Sequence, residues 1–173
     1  MSKLLRPVIL AKWVLPVMLL LPVWVLSVHA EDVSCRYCGM KKTQFGHSWT
    51  IITHSDGNEE MTCSIHCAAI DMALHTDKPV SRITVGDYGT HKQIAAESAF
   101  WVIGGNKTGV MTARAKWAFE TKADADRFIE AHGGKPADFD AVMKAAFEDM
   151  YQDALMIQKK RQMMKLRKDA AEK

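Results

Sequence analysis

Residues 48–75 read SWTIITHSDGNEEMTCSIHCAAIDMALH, and the periodicity of the chain changes within them. SWTIIT, residues 48–53, is β-branched and aromatic, the composition that suits a pleated and half-buried strand. Ser55-Asp56-Gly57-Asn58 is a turn signal, so a second short strand is expected near residues 60–63. Over residues 64–75 Ile65, Ala68, Ala69, Met72 and Ala73 fall at helical spacing, which predicts a helix with one buried face. Pro79 cannot continue that helix, and residues 80–85 read as a third strand. The order is β-β-α-β.

Moving outward toward the C-terminus, a similar order returns. Residues 98–103 read as a strand, Gly104-Gly105-Asn106 turns the chain, and residues 114–119 read as a second strand. Thr121-Lys122-Ala123-Asp124 is a capping box, and it opens a helix that runs to about His132 and closes at Gly133-Gly134. From Pro136 onward Met143, Phe147, Met150, Ala154, Ile157 and Met164 form an amphipathic stripe at seven-residue spacing. The expected fold class is α+β: two small β-β-α-β units in tandem, followed by a long C-terminal helix. The divisions are 1–30 for a leader, 31–90 for the first β-β-α-β unit with its cysteines, 91–135 for the second unit, read as β-β-α, and 136–173 for the helix with a basic tail.

Toward the N-terminus the first thirty residues carry Lys3, Arg6 and Lys12 and no acid. A fourteen-residue apolar run over 13–26 follows, and Ser27-Val28-His29-Ala30 ends in a small residue. Charged start, apolar middle and small exit predict a secretory signal peptide and a periplasmic location. The run contains Pro16 and Pro22 and is short for a membrane span; an uncleaved anchor is the alternative. The formal net charge of +3 resides in this leader, so the remainder is neutral. That neutrality argues against a nucleic-acid partner, which needs a basic stripe on the folded part. It is also polarised: from Lys159 onward seven Lys or Arg face two acids. The tail is thus a candidate contact for a membrane surface or a partner.

All four cysteines lie between Cys35 and Cys67, spaced C-x2-C, then C-x3-C after a gap of 24 residues. Disulfides are the ordinary expectation in an oxidising compartment, but this spacing suits a metal-ligand set better. In Cys35-Arg36-Tyr37-Cys38-Gly39-Met40 two thiols and a thioether lie within six residues, soft donors that favour Cu(I). A c-type haem is excluded, because Gly39 stands where a histidine is required. Cys63 and Cys67 sit where strand gives way to helix, and the helix N-terminus there stabilises thiolates. A knuckle, a hairpin and cysteines at a helix start make a treble-clef layout, which resembles the TRASH/YHS heavy-metal modules. Met111 on the Gly-rich loop 104–111 is a further ligand candidate, and His47 and His66 are supplementary ones. His54, His75, His91 and His132 are expected at the surface.

At CRYCGM (35–40), GVM (109–111) and AKWAFETKADADRFIEAHGG (115–134) the chain resembles the NosL family, the copper accessory proteins of nitrous oxide reductase maturation. The resemblance implies a fold related to organomercurial lyase and Cu(I) binding in the periplasm, with Cys38, Met40 and Met111 as matching ligand candidates. Three departures stand out: no lipoprotein cysteine, the extra TCSIHC cluster, and a long basic helix at the end. The metal set is therefore Cys35, Cys38, Met40, Cys63, Cys67 and Met111. The expected function is a non-catalytic Cu(I) metallochaperone delivering to an apo-cuproenzyme, nitrous oxide reductase or similar, with a copper exporter as a further candidate partner. Alternatives are a structural Zn²⁺ site or a heavy-metal sensing or sequestering module, and a thiol-disulfide oxidoreductase.

Overall fold

A computed structural model describes residues 32–172, so the leader expectation lies outside the described residues. The quoted hairpin forms as β1 (Thr50–His54) and β2 (Glu59–Thr62), paired in antiparallel register with Thr50 opposite Thr62. Its turn is set by Gly57, whose φ of +83° suits glycine, and by Asp56, which accepts from the Asn58 N–H at 2.9 Å. The helix α2 (Ile65–Leu74) follows, then β3 (Val80–Gly86), which returns antiparallel to β1. A short β4 (Gln93–Ala95) extends this first sheet past residue 90 to the order β2-β1-β3-β4. It lacks any sequence signal, since three residues are too few for alternation to register. Before β1 the chain also makes a single helical turn, α1 (Lys42–Phe45), and a 3-10 turn (Gly46–Ser48).

The second unit comprises β5 (Phe100–Ile103), β6 (Lys116–Phe119), α3 (Lys122–His132) and β7 (Lys135–Ala137), with the sheet order β6-β5-β7. β7 corrects the expected start of the last helix at Pro136. That proline pairs with Val102 at the edge of a sheet, where a missing N–H is tolerated. With β7 in place both units are β-β-α-β, and in both the first strand lies between the other two. The helix α4 (Phe139–Ala171) starts at Asp138, whose carboxylate accepts from Ala141 N–H at 2.8 Å.

The helix starts of the two units differ at one detail. Thr121 caps α3 by accepting from the Asp124 N–H, whereas Ser64, in the same place before α2, makes no side-chain cap.

Two cores knit the sheets together. One joins Ile52, Ile83 and Val85 of the first sheet to Trp101 and Ala118 of the second, under Val142 and Ala146 of α4. The other surrounds the cysteines with Trp49, Val102, Trp117 and Phe128. Fully burying a side chain such as Ile52 or Val102 contributes about 1.5–3 kcal/mol. Asp87 ties the sheets at their margin: it accepts from Gly89 N, Thr90 N, Thr90 Oγ1 and, across the sheets, Glu120 N at 2.8 Å. Burial alone would raise its pKa, but these donors outweigh it and hold the carboxyl below its ordinary value.

Two expectations about helix faces fail. Ala73 is exposed while Asp71 is fully buried. On α4 Phe147 is 45% exposed, and the buried positions are Val142, Met143, Ala145, Ala146 and Asp153. The seven-residue spacing drifts around a straight helix, and the packed face follows the 3.6-residue period instead. No helix among the described residues is long and apolar enough to cross a membrane.

Candidate metal centre

The cysteine knuckle is closed by its own backbone. Cys35 N–H donates to Met40 O and Gly39 N–H to Cys35 O, both at 2.8 Å, and Gly39 takes φ +76°. It docks on β2 through Arg36, whose side chain meets Glu60 at 2.6 Å. Tyr37, between the two cysteines, donates its hydroxyl to the buried Asp71 of α2. Asp71 also lies 3.1 Å from His75 Nδ1 and 3.5 Å from His54 Nε2. His54 is therefore not a surface residue as expected; it is 2% exposed, facing Asp71 from β1. His75 and His132 are half-buried and only His91 is fully at the surface.

The knuckle and the start of α2 bring four thiols together. The Sγ atoms of Cys35, Cys38, Cys63 and Cys67 all lie within 4.8 Å of one another, with Cys38 to Cys63 at 3.4 Å and Cys63 to Cys67 at 3.6 Å. All four are free, and these separations far exceed the ~2.05 Å of a disulfide. Four sulfurs about 2.3 Å from one ion would stand about 3.8 Å apart, so a single soft cation fits between them with small adjustments. Cys35, Cys63 and Cys67 are buried and Cys38 is half-buried, facing outward. S–H donation from Cys38, Cys63 and Cys67 lowers the Cys35 pKa sharply, while sharing with Cys35 and Cys38 pushes Cys63 and Cys67 up. Four thiolates this close repel one another in a buried site, so ionising the whole set requires a bound metal.

Outside Cys38 a cavity of about 250 Å³ opens, and Met40 and Met111 line it beside Cys38. Met111 takes φ +61°, a strained conformation for a side chain of its size. Its loop is held by close packing at Gly109, where an added Cβ would stand 2.6 Å from Thr112 O. α4 holds the other side. Asp153 accepts from Ala113 N–H at 2.9 Å, and Asp149 accepts from Arg114 Nε at 2.8 Å and Lys116 Nζ at 2.7 Å. Burial would raise Asp149, but Arg114 and Lys116 outweigh it and lower its pKa.

The supplementary histidines are not brought to the sulfurs. His66 turns from the cysteines toward α4, 3.2 Å from Asp153, and burial pushes its pKa below the ordinary imidazole value. His47 sits among Phe45, Tyr88, His91 and Trp117. Among the described residues the four cysteines are the one cluster of His, Cys, Asp or Glu with metal-ligand spacing. The sequence missed the contribution of α4 to the loop. Acids at 149 and 153 look like an ordinary solvated face until the partners in 113–116 are known.

The NosL family profile matches residues 26–147, most of the chain and all of both β-β-α-β units. The chain belongs to the NosL family. In three dimensions it resembles the crystal structure of the copper chaperone NosL from Shewanella denitrificans, with a TM-score of 0.52 and 27% identity. That match covers 62% of this chain and 87% of the chaperone. A curated relative, the HTH-type transcriptional repressor CutR of Bacillus subtilis (strain 168), is 32% identical over 122 residues. The match takes 70% of this chain and only 60% of the repressor's length. The family match and the solved chaperone bear out the NosL-like fold: two small antiparallel sheets, then a long C-terminal helix. Most of that helix lies past residue 147, beyond the family profile.

Proposed function

We propose that this NosL-family chain is an exported Cu(I) carrier that acts without catalysis, passing its ion to an apo-cuproenzyme by sulfur ligand exchange. The observation that carries the reading is the position of Cys38. It belongs to the four-thiol cluster and also lines the open cavity with Met40 and Met111. Soft thiolate and thioether donors select Cu(I), and thioethers bind it without a proton to lose. An acceptor sulfur or imidazole entering that cavity can bond the ion before Cys38 lets go, so the ion never enters water bare. Cys38, Met40 and Met111 are the exchanging ligands in this reading, and Cys35, Cys63 and Cys67 hold the ion's resting side. The acceptor is nitrous oxide reductase or a similar copper enzyme, an exporter is the candidate donor, and the basic end of α4 is the candidate docking or membrane-surface element.

A second reading has its own support. The closed set of four thiols is the arrangement of a structural Zn²⁺ site. Anaerobic titration of the reduced protein with Cu(I) and Zn²⁺ separates the two. The carrier reading expects stoichiometric Cu(I) binding that weakens in Met40→Ala and Met111→Ala, with X-ray absorption showing about three sulfur neighbours on copper. Preferential zinc binding that survives both substitutions, with about four sulfurs around zinc, would replace it by the structural site.

A further inference from the structure

We propose that Met156 and Met164 of α4 form a thioether path for Cu(I) leading to and from Cys38. The proposal rests on the carrier reading above and extends it to a part of the chain beyond the family profile. Both methionines line the cavity that Cys38, Met40 and Met111 line from the opposite side, so four thioethers and a thiol face one space.

Their placement suits a path better than a single coordination shell. Met156 and Met164 are eight residues apart, about 12 Å along the helix axis. Met156 is half-buried and Met164 is 60% exposed, so the two differ in access to solvent along the same cavity wall. The long, unbranched, polarizable side chain lets each sulfur reach inward or outward across part of the gap. Just before Met156 the helix is anchored, because Asp149 and Asp153 bond Ala113, Arg114 and Lys116, which follow Met111 in the chain.

Lys160 and Arg161 also line this cavity. Their charge favours an anionic donor or acceptor, such as a Cu(I)–thiolate complex or an acidic partner face. Copper stays Cu(I) throughout. At each hop one Cu–S bond forms as another breaks, and thioethers neither gain nor lose a proton.

Methionine methyl NMR tests the path. The reduced protein carries ¹³C-methyl methionine, assigned with single Met→Leu variants, and is titrated anaerobically with acetonitrile-stabilised Cu(I). The expected result is that Met40 and Met111 respond at the first equivalent and Met156 and Met164 in the second. In Met156→Leu/Met164→Leu, which preserves shape, the second equivalent should bind about tenfold more weakly or worse while the first is unchanged. Response of Met40 and Met111 alone at every ratio overturns the path and leaves the carrier reading standing. Silence at all four methyls overturns both. The metal-free spectrum of the double variant shows whether it is folded, so a loss through misfolding is recognised.

Discussion

Replacing Asp149 by Asn tests whether α4 holds the Met111 loop by charge. Asp149 accepts from Lys116 Nζ at 2.7 Å and from Arg114 Nε at 2.8 Å. Lys116 is only 5% exposed, and its other partners are Arg114 O at 2.9 Å and Thr112 Oγ1 at 3.4 Å, neither of them charged. Asp149→Asn therefore leaves a buried ammonium without a counter-charge. Breaking a fully buried pair costs about 3–5 kcal/mol; since the Asp149 side chain keeps some solvent contact, about 2–4 kcal/mol is expected. For a domain of this size that lowers the melting temperature by about 6–12 °C.

The pH dependence has a definite sign. The folded-state pKa of Asp149 is depressed, so its contribution is present above the ordinary carboxylate pKa and is lost as pH falls through the folded value. The variant should lose stability at pH 7 and show a flatter acid limb. Urea unfolding followed by tryptophan fluorescence between pH 3 and 7 measures both. Lys116→Met in the Asp149→Asn background removes the stranded cation, and the double variant should recover about 1 kcal/mol or more. Equal stability of wild type and Asp149→Asn at pH 7, with identical acid limbs, would refute the argument.

Three other outcomes follow from the same geometry. Tyr37→Phe strips the buried Asp71 of its phenolic donor and should cost about 1–3 kcal/mol in urea unfolding, with the cysteine knuckle exchanging its amide hydrogens faster. Gly109→Ala places a Cβ against the Thr112 carbonyl and should destabilise by about 1–3 kcal/mol; a thermal melt indistinguishable from wild type would show that the loop yields freely. Asp87→Asn turns an amide toward N–H donors and should cost about 1.5–3 kcal/mol at pH 7. The depressed pKa of Asp87 means that this difference shrinks as pH falls below the carboxylate range, which acid titration of the two proteins reads directly.

Much of the fold is legible where a local rule coincides with the tertiary result. Asp56-Gly57 turns β1 into β2, Thr121 caps α3, and Gly133 and Gly134 end it with positive φ. The convergence of four cysteines is legible for a similar reason, since a knuckle and a helix start are local geometries. What the sequence conceals depends on partners far along the chain. Pro136 enters a strand because β5 offers an edge, and nothing within three residues announces it. Asp71 looks like a polar interruption of an apolar face until Tyr37, 34 residues earlier, supplies its donor. His66 lies between two cysteines in sequence, yet the helix turn that aligns Cys63 with Cys67 rotates it toward Asp153. Met156 falls outside the seven-residue stripe, and only the placement of α4 against the Met111 loop brings it to the cavity.

The two β-β-α-β units make the chain its own comparison. At the junction of second strand and helix, Thr62-Cys63-Ser64 in one unit occupies the place of Phe119-Glu120-Thr121 in the other, and Cys67 the place of Asp124. The second unit closes its helix start in the usual way, with Thr121 and Asp124 satisfying each other. The first unit forgoes that closure, a sacrifice of about 0.5–2 kcal/mol, and puts thiols at positions matching Glu120 and Asp124. Of two units with the same element order, one thus keeps the self-satisfied form of a junction that the other leaves uncapped. The uncapped start of α2 is a local cost that the first unit carries at its cysteines and the second unit does not.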